Sequence, residues 1–541
     1  MPVIETTPFD DQKPGTSGLR KKVTRFQEPH YLENFVQSVF DTVDGLSGAT
    51  LVVGGDGRFH NETAIQTILA MAAANGVRRC IVGEGGILST PAVSHLIRHR
   101  GAAGGFILSA SHNPGGPDGD FGIKFNGANG GPATEGVTAR IHARSKEIDR
   151  YRKEDMEEVD LERGGLTRAG GMEVEIVDPV ADYLDLMESL FDLDAIRDHI
   201  GSGFRFVFDA MHAVTGPYAR RIFGERLGVP AEAILNATPK PDFGGGHPDP
   251  NMVHAAHLFD LTSRDDGPDL AAASDGDGDR NLVIGRHRFV TPSDSLALLA
   301  DNLHLCPGYT GGLAGVARSM PTSAAADRVA EAKGIAMYET PTGWKFFGNL
   351  LDAGAITLCG EESAGTGSDH VREKDGLWAV LAWLNILAVR RESVDDIVRA
   401  HWARYGRNHY ARHDFEEVDA EGAANLMERL RGRLEDLAGT ETAAGTIASA
   451  DEFSYYDTVD ESLTEGQGLR VLFRDGSRIV YRLSGTGTVG ATLRVYIERY
   501  TPAEGDILLD TPDALADLIA VSREIASIER FTGRTEPDVV T

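Results

Sequence analysis

Cysteine is scarce in this chain of 541 residues, which has only three, at Cys80, Cys306 and Cys359. They lie far apart and form no CxxC pair, so the sequence argues against a disulfide framework and a zinc site of paired cysteines. No apolar run approaches the roughly 20 residues that a membrane-spanning helix needs. Residues 1–5 show neither the basic nor the apolar region of a secretory signal. These absences predict a reduced, cytoplasmic setting without a membrane partner.

Positive charge is also in short supply. The chain has 53 lysine and arginine residues against 82 aspartate and glutamate residues, which gives a net charge of −29. This balance argues against nucleic acid and anionic membranes as partners. An acidic protein binds anions where basic side chains gather locally, so arginine and lysine in Gly/Ser/Thr loops are the informative positions. The length predicts three or four domains.

A small hydroxyl residue, Ser111, stands where an apolar strand ends. Residues 105–108 are short and apolar like a buried strand, and a glycine-rich run follows up to Gly122. Little bulk surrounds Ser111 there, and free backbone N–H groups can meet anionic oxygen, as an exposed nucleophile requires. A polar turn would contain the same residue types.

Strand and helix patterns alternate around this loop. Residues 49–56 and 79–83 have the pattern of strands, and residues 61–75 have the pattern of a helix between them. This spacing predicts a parallel crossover. Ligands of such sheets bind beyond the carboxyl ends of the strands, where the Ser111 loop lies. Residues 145–162 form a dense charge run, which we interpret as a solvated helix or linker.

The loop after residues 270–273 carries three aspartates, Asp275, Asp277 and Asp279, separated by glycines. Side chains at this spacing can turn toward one hard cation. An EF-hand is excluded, because Arg280 and Arg286 occupy its glycine and glutamate positions. Three carboxylates leave coordination positions for water or a phosphate oxygen, which suits Mg²⁺. An acidic turn without a cation is the alternative.

Three further loops combine hydroxyl, glycine and charged residues. Residues 13–21 and residues 482–494 could each wrap a phosphate, because lysine or arginine side chains flank their Ser/Thr/Gly runs. Residues 360–375 offer acidic side chains and a hydroxyl suited to sugar hydroxyls. Each has a structural alternative, namely a flexible N-terminal arm, a hairpin turn, and a helix cap or salt-bridge cluster.

Together and in this order, these stretches resemble the α-D-phosphohexomutase family. The resemblance rests on residues 13–20, 109–116, 122–126, 275–280, 339–345, 360–376 and 482–490. Minor differences are Ser109, where threonine is usual, and Ala364, where phenylalanine is common. The resemblance implies four domains around a central cleft, three α/β domains with mixed sheets and a C-terminal TBP-like α+β domain. We predict domain boundaries at residues 1–185, 186–291, 292–403 and 404–541.

The resemblance also implies a role for each loop. Ser111 looks like the phosphoryl carrier, Lys124 with His112 resembles the residues that transfer protons, and Arg20 is an anion contact near the reacting groups. Mg²⁺ would be held by Asp275, Asp277, Asp279 and a phosphate oxygen on Ser111. The implied substrate-binding set is Thr16, Ser17, Arg20, Asp279, Arg280, Thr342, Gly343, Glu361, Ser363, His370, Lys374, Arg482, Ser484, Gly485, Thr486, Thr488 and Arg494.

The activity implied is the interconversion of glucose 1-phosphate and glucose 6-phosphate. Phosphorylated Ser111 would donate its group, form glucose 1,6-bisphosphate, and take back the other phosphate after the sugar turns in the cleft. Mannose phosphates are alternative or additional substrates, because axial and equatorial hydroxyls differ by few contacts. An inactive scaffold protein is a further alternative, although it would be expected to lose Ser111 or the aspartates. We expect a monomer or small homo-oligomer.

Overall fold

The computed structural model describes residues 2–15, 17–484 and 490–541, which divide into two compact units. The first unit contains Met1–Val316 and Gly343–Asp395, and the second contains Ala317–Thr342 and Asp396–Thr541. Four residues that the sequence assigns to substrate binding lie outside the described residues, namely Thr16, Gly485, Thr486 and Thr488.

A seven-stranded mixed sheet forms the N-terminal part of the first unit. Its strands, in spatial order, are Leu19–Lys22, Asp120–Gly127, Gly104–Leu108, Thr50–Gly55, Arg79–Ile87, Met172–Val177 and Gly165–Ala169. The middle strands pair in parallel and the outer ones antiparallel. The helices are Val23–Phe26, Tyr31–Thr42, Asn61–Ala74, Thr90–His99 and Glu135–Ser145. The predicted parallel crossover is confirmed, and the Ser111 loop directly follows Gly104–Leu108.

The charge run at residues 145–162 differs from a helix. Its first residue ends the helix Glu135–Ser145, and Arg150–Arg152 then pairs antiparallel with the short strand Val3–Glu5. Tyr151 is the buried residue of that strand. The charge density of this run predicted solvent exposure, but no local pattern indicated the distant strand that pairs with it.

A five-stranded mixed sheet follows in the same unit. Its strands, in spatial order, are Ile234–Leu235, Phe206–Asp209, Leu270–Ser274, Asn281–Gly285 and Arg288–Val290. Around it lie the helical segments Ala181–Leu190, Leu193–Gly201, Thr215–Ala219, Arg220–Arg226, Ala231–Ala233, Phe243–Gly245 and Ala256–Thr262. The aspartate loop joins the antiparallel strands Leu270–Ser274 and Asn281–Gly285, so both of its ends are fixed by the sheet.

The third region of the chain is shared between the two units. The first unit holds Pro292–Asn302, Leu303–Leu305, Pro307–Tyr309, Trp344–Asp352, Gly376–Arg390 and the antiparallel strands Leu358–Gly360 and Thr366–Ser368. The second unit holds the helix Ala325–Lys333 and the strand Ala336–Thr340. The division passes through the strand Gly315–Ser319 and the helix Val394–Tyr405. The helix Gly376–Arg390 is almost entirely buried, in keeping with its apolar sequence.

An antiparallel seven-stranded sheet dominates the second unit. Its spatial order is Glu441–Thr442, Gly445–Glu452, Leu469–Phe473, Arg478–Ser484, Ala491–Thr501, Arg407–Val418 and Val539–Val540. Helices Ala420–Arg431, Leu434–Leu437, Thr511–Ala526 and Ile528–Thr532 belong to the same region, as does the short pair Tyr455–Tyr456 and Leu463–Thr464. Apolar side chains of the helices and strands share one buried core. Among the described residues, no helix is both long and apolar enough to cross a membrane.

A buried histidine in this sheet predicts acid sensitivity. His409 is 1% exposed, and its ring nitrogens have no hydrogen-bond partner among the described residues. Burial, followed by Arg407 and Arg499, lowers the pKa of His409 to about 4. An unfolded histidine has a pKa of about 6.5, so the unfolded chain binds the proton first as pH falls from about 6.5 to 4, and stability falls there. His409→Phe should reduce the dependence of the unfolding free energy on pH in this range.

Urea unfolding of both proteins at pH 7 and pH 5 measures the effect. His413 has a pKa that is likewise lowered to about 4, by burial and then Arg523, so a residual slope is expected in the His409 variant. An equal loss of midpoint on acidification in the two proteins would show that His409 does not contribute.

Candidate active site

Ser111 lies in a tight, buried loop at the end of the strand Gly104–Leu108. Its backbone has φ of 52°, in the left-handed region that is uncommon outside glycine, and the residue is 2% exposed. The Oγ donates a hydrogen bond of 2.8 Å to Oδ2 of Asp275 and lies 3.4 Å from Nδ1 of His112. A side chain at Gly276 would collide with the Ser111 carbonyl oxygen, so the aspartate loop must approach the serine with bare backbone.

A buried arginine holds the serine loop in this conformation. The guanidinium of Arg58 donates to the carbonyl oxygens of Ser111 at 2.7 Å and Asp120 at 2.8 Å. Its Nε lies 2.8 Å from Asp56 Oδ2, which also accepts from Ser109 Oγ at 2.7 Å. Ser109 Oγ in turn accepts the Ser111 N–H at 2.7 Å. Sequence reasoning missed Asp56 and Arg58, although both stand in the polar turn after a predicted strand.

The three aspartates form a buried cluster beside the serine. One carboxylate oxygen from each of Asp275, Asp277 and Asp279 lies within 4.8 Å of the others. Asp275 Oδ1 accepts the backbone N–H groups of Asp279 at 2.9 Å and Arg280 at 3.0 Å. Asp277 Oδ2 accepts from Thr90 Oγ1 at 2.7 Å. These hydrogen bonds orient Asp275 and Asp277 within the cluster.

The residues of this cluster fit a small divalent cation. Oδ1 of Asp277 and Oδ1 of Asp279 are buried with no hydrogen-bond partner among the described residues. Buried anionic oxygens without partners cost several kcal/mol, so they normally accompany a cation. Burial, then Asp279 and Asp277, raise the pKa of Asp275 well above its usual value. Burial opposes ionisation of Asp277, yet Lys124, the Thr90 hydrogen bond, Lys374 and Arg20 lower its pKa to about 2.

Basic side chains gather around the same carboxylates. Lys374 Nζ lies 3.1 Å from Asp279 Oδ2, and Arg280 Nη1 lies 3.6 Å from Asp249 Oδ1. The Nε atoms of Arg20 and Arg280 are buried without a hydrogen-bond partner in the described parts of the chain. Guanidinium donors without acceptors indicate where an anionic group of a ligand can bind. The structure thus brings together Arg20, Arg280, Lys374 and the aspartates, as the sequence predicted.

The two candidates for proton transfer have different surroundings. Burial, followed by Arg280 and Arg20, lowers the pKa of His112 far below its usual value, so its imidazole is neutral at pH 7. Lys124 Nζ lies 3.0 Å from Glu373 Oε1, which also accepts from Asn126 at 2.8 Å. A neutral imidazole can accept a proton and an ammonium can donate one. The assignment of either residue to proton transfer stays a prediction.

Three predicted substrate-binding residues of the first unit, Glu361, Ser363 and His370, differ in burial and in their hydrogen bonds. Glu361 is 6% exposed and accepts the N–H of Gly343 at 3.2 Å, whereas Ser363 is half-buried. His370 has a side chain that is only 1% exposed. Its Nδ1 lies 2.7 Å from Ser368 Oγ, and its Nε2 lies 3.0 Å from an oxygen of Asp375. Both nitrogens therefore have protein partners, and substrate binding by His370 remains only a prediction.

Ser17 occupies a turn at the start of the same unit. Gly15 and Gly18 exchange backbone hydrogen bonds of 2.9 and 3.3 Å. A side chain at Gly18 would collide with the carbonyl of Ile123, so Gly18 packs closely on the strand that carries Lys124. The strand Leu19–Lys22 that follows pairs antiparallel with Asp120–Gly127, so this part of the predicted loop belongs to the sheet and not to an unpaired arm.

The second unit carries the arginines of the predicted phosphate cradle. Arg482 and Arg494 face each other in register on the adjacent strands Arg478–Ser484 and Ala491–Thr501, close to Ser484. Arg482 Nε donates to the carbonyl of Gln467 at 3.1 Å. Arg494 Nε lies 3.6 Å from Asp414 Oδ2, beyond hydrogen-bond distance, and the Arg494 side chain is 35% exposed. The pairing places two arginines at neighbouring positions near the ends of the two strands.

Family models match four consecutive parts of the chain. Those described as Phosphoglucomutase/phosphomannomutase, alpha/beta/alpha domains I, II and III match residues 11–152, 181–288 and 291–405. The one described as Phosphoglucomutase-1, C-terminal domain matches residues 407–538. The chain therefore belongs to the phosphoglucomutase/phosphomannomutase family, the α-D-phosphohexomutases. This confirms four domains, three of them α/β with mixed sheets; their arrangement around a cleft and their boundaries stay predictions.

Within this family the chain groups with the phosphoglucomutases. It is 60% identical over 538 residues to phosphoglucomutase of Rhizobium radiobacter, with 99% of each chain covered. It is 52% identical to cytoplasmic phosphoglucomutase of Populus tremula, again with 99% of each covered. The crystal structure of pp63/parafusin, a phosphoglucomutase from Paramecium in its open form, has a TM-score of 0.93 at 49% identity, with 100% of this chain and 99% of that chain covered.

Proposed function

We propose that this chain is a Mg²⁺-dependent isomerase that interconverts glucose 1-phosphate and glucose 6-phosphate. The observation that carries the proposal is the Ser111 hydroxyl, buried 2.8 Å from Asp275 within the aspartate cluster. A hydroxyl placed between a cation site and arginine donors is suited to carry a phosphoryl group. The full-length phosphoglucomutase relatives support glucose phosphates as substrates.

Each residue of the site has a part in the proposed transfer. Asp275, Asp277 and Asp279, with an oxygen of phosphorylated Ser111, would hold Mg²⁺, which when bound offsets negative charge on the phosphoryl group. Arg20 and Arg280 bind the phosphoryl oxygens through their unpartnered donors. A sugar hydroxyl attacks phosphorus and the bond to Ser111 Oγ breaks. The hydroxyl proton passes to the neutral imidazole of His112, while the Lys124 ammonium donates a proton to the departing Ser111 oxygen; in the reverse direction each proton returns to the group that gave it.

The remaining predicted contacts bind the rest of the substrate. Thr342, Glu361 and Ser363 would recognise sugar hydroxyls, and Arg482, Ser484 and Arg494 would hold the phosphate that does not react. Glucose 1,6-bisphosphate forms as the intermediate and exchanges its two phosphates between the two sites. Some relatives are named cytoplasmic and others chloroplastic. For this chain we propose a cytoplasmic location. A monomer or small homo-oligomer remains our expectation.

A coupled assay tests the function. Glucose 1-phosphate and mannose 1-phosphate are compared with and without Mg²⁺, in the presence of glucose 1,6-bisphosphate. We expect turnover of glucose 1-phosphate that requires Mg²⁺, with slower turnover of mannose 1-phosphate. Equal rates on both sugars would favour a dual-specificity enzyme, and no turnover of either sugar would contradict the proposal.

Arg494→Ala should make the enzyme depend on added glucose 1,6-bisphosphate. Removing a charge-assisted hydrogen bond costs about 1.5–3 kcal/mol, so substrate affinity should fall by roughly 10- to 100-fold. The intermediate should also escape more often, and each escape leaves Ser111 without its phosphoryl group. The bisphosphate is titrated at saturating monophosphate, in both reaction directions.

Arg431→Ala is the matched control, because Arg431 lies in the same unit and pairs only with Glu428 and Glu452 among the described residues. It should behave as wild type. If Arg494→Ala needs no more activator than wild type does, the cradle does not retain the intermediate.

A further inference from the structure

A partly buried ionic network in the second unit lies beside a loop that the proposed function uses for sugar recognition. At its centre is Glu339, three residues before Thr342. We propose that Glu339 is a positioning residue that fixes the sugar-recognition loop, residues 340–342, relative to the phosphate cradle of Arg482 and Arg494. The inference rests on the proposed function, because that function has the sugar-recognition loop and the phosphate cradle bind the same substrate.

Three arginines converge on the Glu339 carboxylate. Arg318 Nη1 lies 2.8 Å and Arg478 Nη1 lies 3.4 Å from Oε1, while Arg470 Nη1 lies 2.6 Å from Oε2. Burial opposes ionisation of Glu339, yet Arg318, Arg478 and Arg470 lower its pKa, so the carboxylate is charged. Three cations on one half-buried anion make a rigid junction, since each guanidinium binds in a fixed plane.

The three arginines also bind carboxylates of the antiparallel sheet and of one helix. Arg470 binds Asp451 through two hydrogen bonds of 2.8 and 2.7 Å, and Arg478 Nε lies 2.5 Å from Glu498 Oε2. Asp451 and Glu498 belong to the antiparallel sheet. Arg318 instead binds Asp327 of the helix Ala325–Lys333, at 2.6 and 2.8 Å. Glu339 therefore joins the segment before Thr342 to the sheet that carries the cradle.

Backbone contacts extend the junction into the loop. Met320 donates its N–H to the Thr340 carbonyl at 2.7 Å and accepts from Arg478 Nη1 at 2.8 Å. Thr340 is fully buried, and its hydroxyl donates to the Pro341 carbonyl at 3.1 Å. The next residue, Thr342, has a buried Oγ1 with no hydrogen-bond partner among the described residues. A fixed loop thus ends in a hydroxyl whose hydrogen-bonding capacity no described protein group uses.

Apolar packing links the same loop to the cradle. Met320 packs with Val480 and Tyr496 in one buried cluster. Arg482 Nη1 lies 3.4 Å from the Tyr496 hydroxyl oxygen, so the cradle arginine contacts that cluster. Both ends of the path, Thr342 and Arg482, belong to the second unit. The distance between a sugar contact and a phosphate contact is therefore set inside one compact unit.

Glu339→Gln tests this role, because it keeps the size of the side chain and removes its charge. We expect the KM for glucose 1-phosphate to rise at least about tenfold. The substrate must contact the sugar-recognition loop and the phosphate cradle together, so a small misplacement of one relative to the other weakens its binding. Inhibition by inorganic phosphate should stay within about twofold of wild type, because phosphate binds without spanning the loop and the cradle. Adding Thr342→Val to this variant should raise KM little further, as expected for residues that act as a unit.

Two further variants keep the test decisive. Glu452→Gln removes a carboxylate that binds Arg431 at 2.9 and 3.0 Å in the same unit, and it should leave KM unchanged. If Glu339→Gln fails to fold by thermal melting, Arg470→Gln replaces it, since Glu339 then keeps Arg318 and Arg478. An unchanged KM in the folded variant, or equal weakening of phosphate and substrate, would overturn the inference. Absence of activity in wild type would instead contradict the proposed function.

Discussion

Ser111→Ala is expected to fold normally and to lose at least about a thousandfold in turnover. The covalent route needs an oxygen at this position. Among the described residues, the only other hydroxyl that donates to the aspartate cluster is that of Thr90, which is hydrogen-bonded to Asp277. The Arg58 contact is to the Ser111 carbonyl, so the left-handed loop should survive the substitution. Coupled assays measure turnover, and intact-mass spectrometry after incubation with glucose 1,6-bisphosphate measures phosphate on the protein.

The control is Ser38→Ala, which removes another buried serine hydroxyl of the first unit. Ser38 Oγ donates to the Asn34 carbonyl within the helix Tyr31–Thr42, outside the site. This variant should keep wild-type turnover and take up one phosphate. Near-normal turnover in Ser111→Ala, or an unchanged mass increase, would assign the phosphoryl carrier to another residue.

The fold was predictable where local pattern and burial agree. Residues 49–56, 61–75 and 79–83 showed strand, helix and strand, and the structure has Thr50–Gly55, Asn61–Ala74 and Arg79–Ile87 there. Their apolar side chains are buried in one core, so periodicity and packing favour the same assignment. The partner of the strand Arg150–Arg152 could not be predicted, because Val3–Glu5 lies far away at the other end of this region and pairing at that separation leaves no local signal.

The site was predictable where several chemical groups occur within one loop. Asp275, Asp277 and Asp279 are close in sequence, and the structure brings them together beside Ser111. Asp56 and Arg58 were missed, because their contact with the serine loop depends on how two strands lie side by side. The same holds for Glu339, whose arginine partners come from residues 318, 470 and 478.

His370 shows the opposite difficulty. The resemblance implied that His370 binds substrate, but residue type and spacing cannot show whether a side chain faces a ligand or its own fold. The imidazole is stacked on Trp378, with ring centroids 5.3 Å apart, and both of its nitrogens are near Ser368 and Asp375. Tyr183 adds a further hydrogen bond of 2.7 Å to the same aspartate. A buried polar network accounts for the burial and the hydrogen bonds of His370 without a bound substrate.

Asp277→Asn should weaken divalent-cation binding on the order of 100-fold and lower turnover by about a hundredfold or more. The substitution keeps the shape of the side chain but removes the charge on Oδ1, a buried oxygen with no partner in the described parts of the chain. The neutral amide would also leave Lys124, Lys374 and Arg20 with less negative charge to face. Binding of Mn²⁺, followed by electron paramagnetic resonance, measures the cation site independently of activity.

Asp249→Asn is the matched control, because Asp249 also faces Arg280, at 3.6 Å, but is not among the clustered aspartates. It should retain Mn²⁺ binding, whatever it does to turnover. Thermal unfolding gives a second measure, since a ligand that binds only the folded state raises the melting temperature. Mg²⁺ should stabilise wild type and Asp249→Asn, and should stabilise Asp277→Asn much less. If Asp277→Asn binds Mn²⁺ as tightly as wild type, the cation is held without Asp277 and the role of this carboxylate must be the orientation of Lys124 and Arg20.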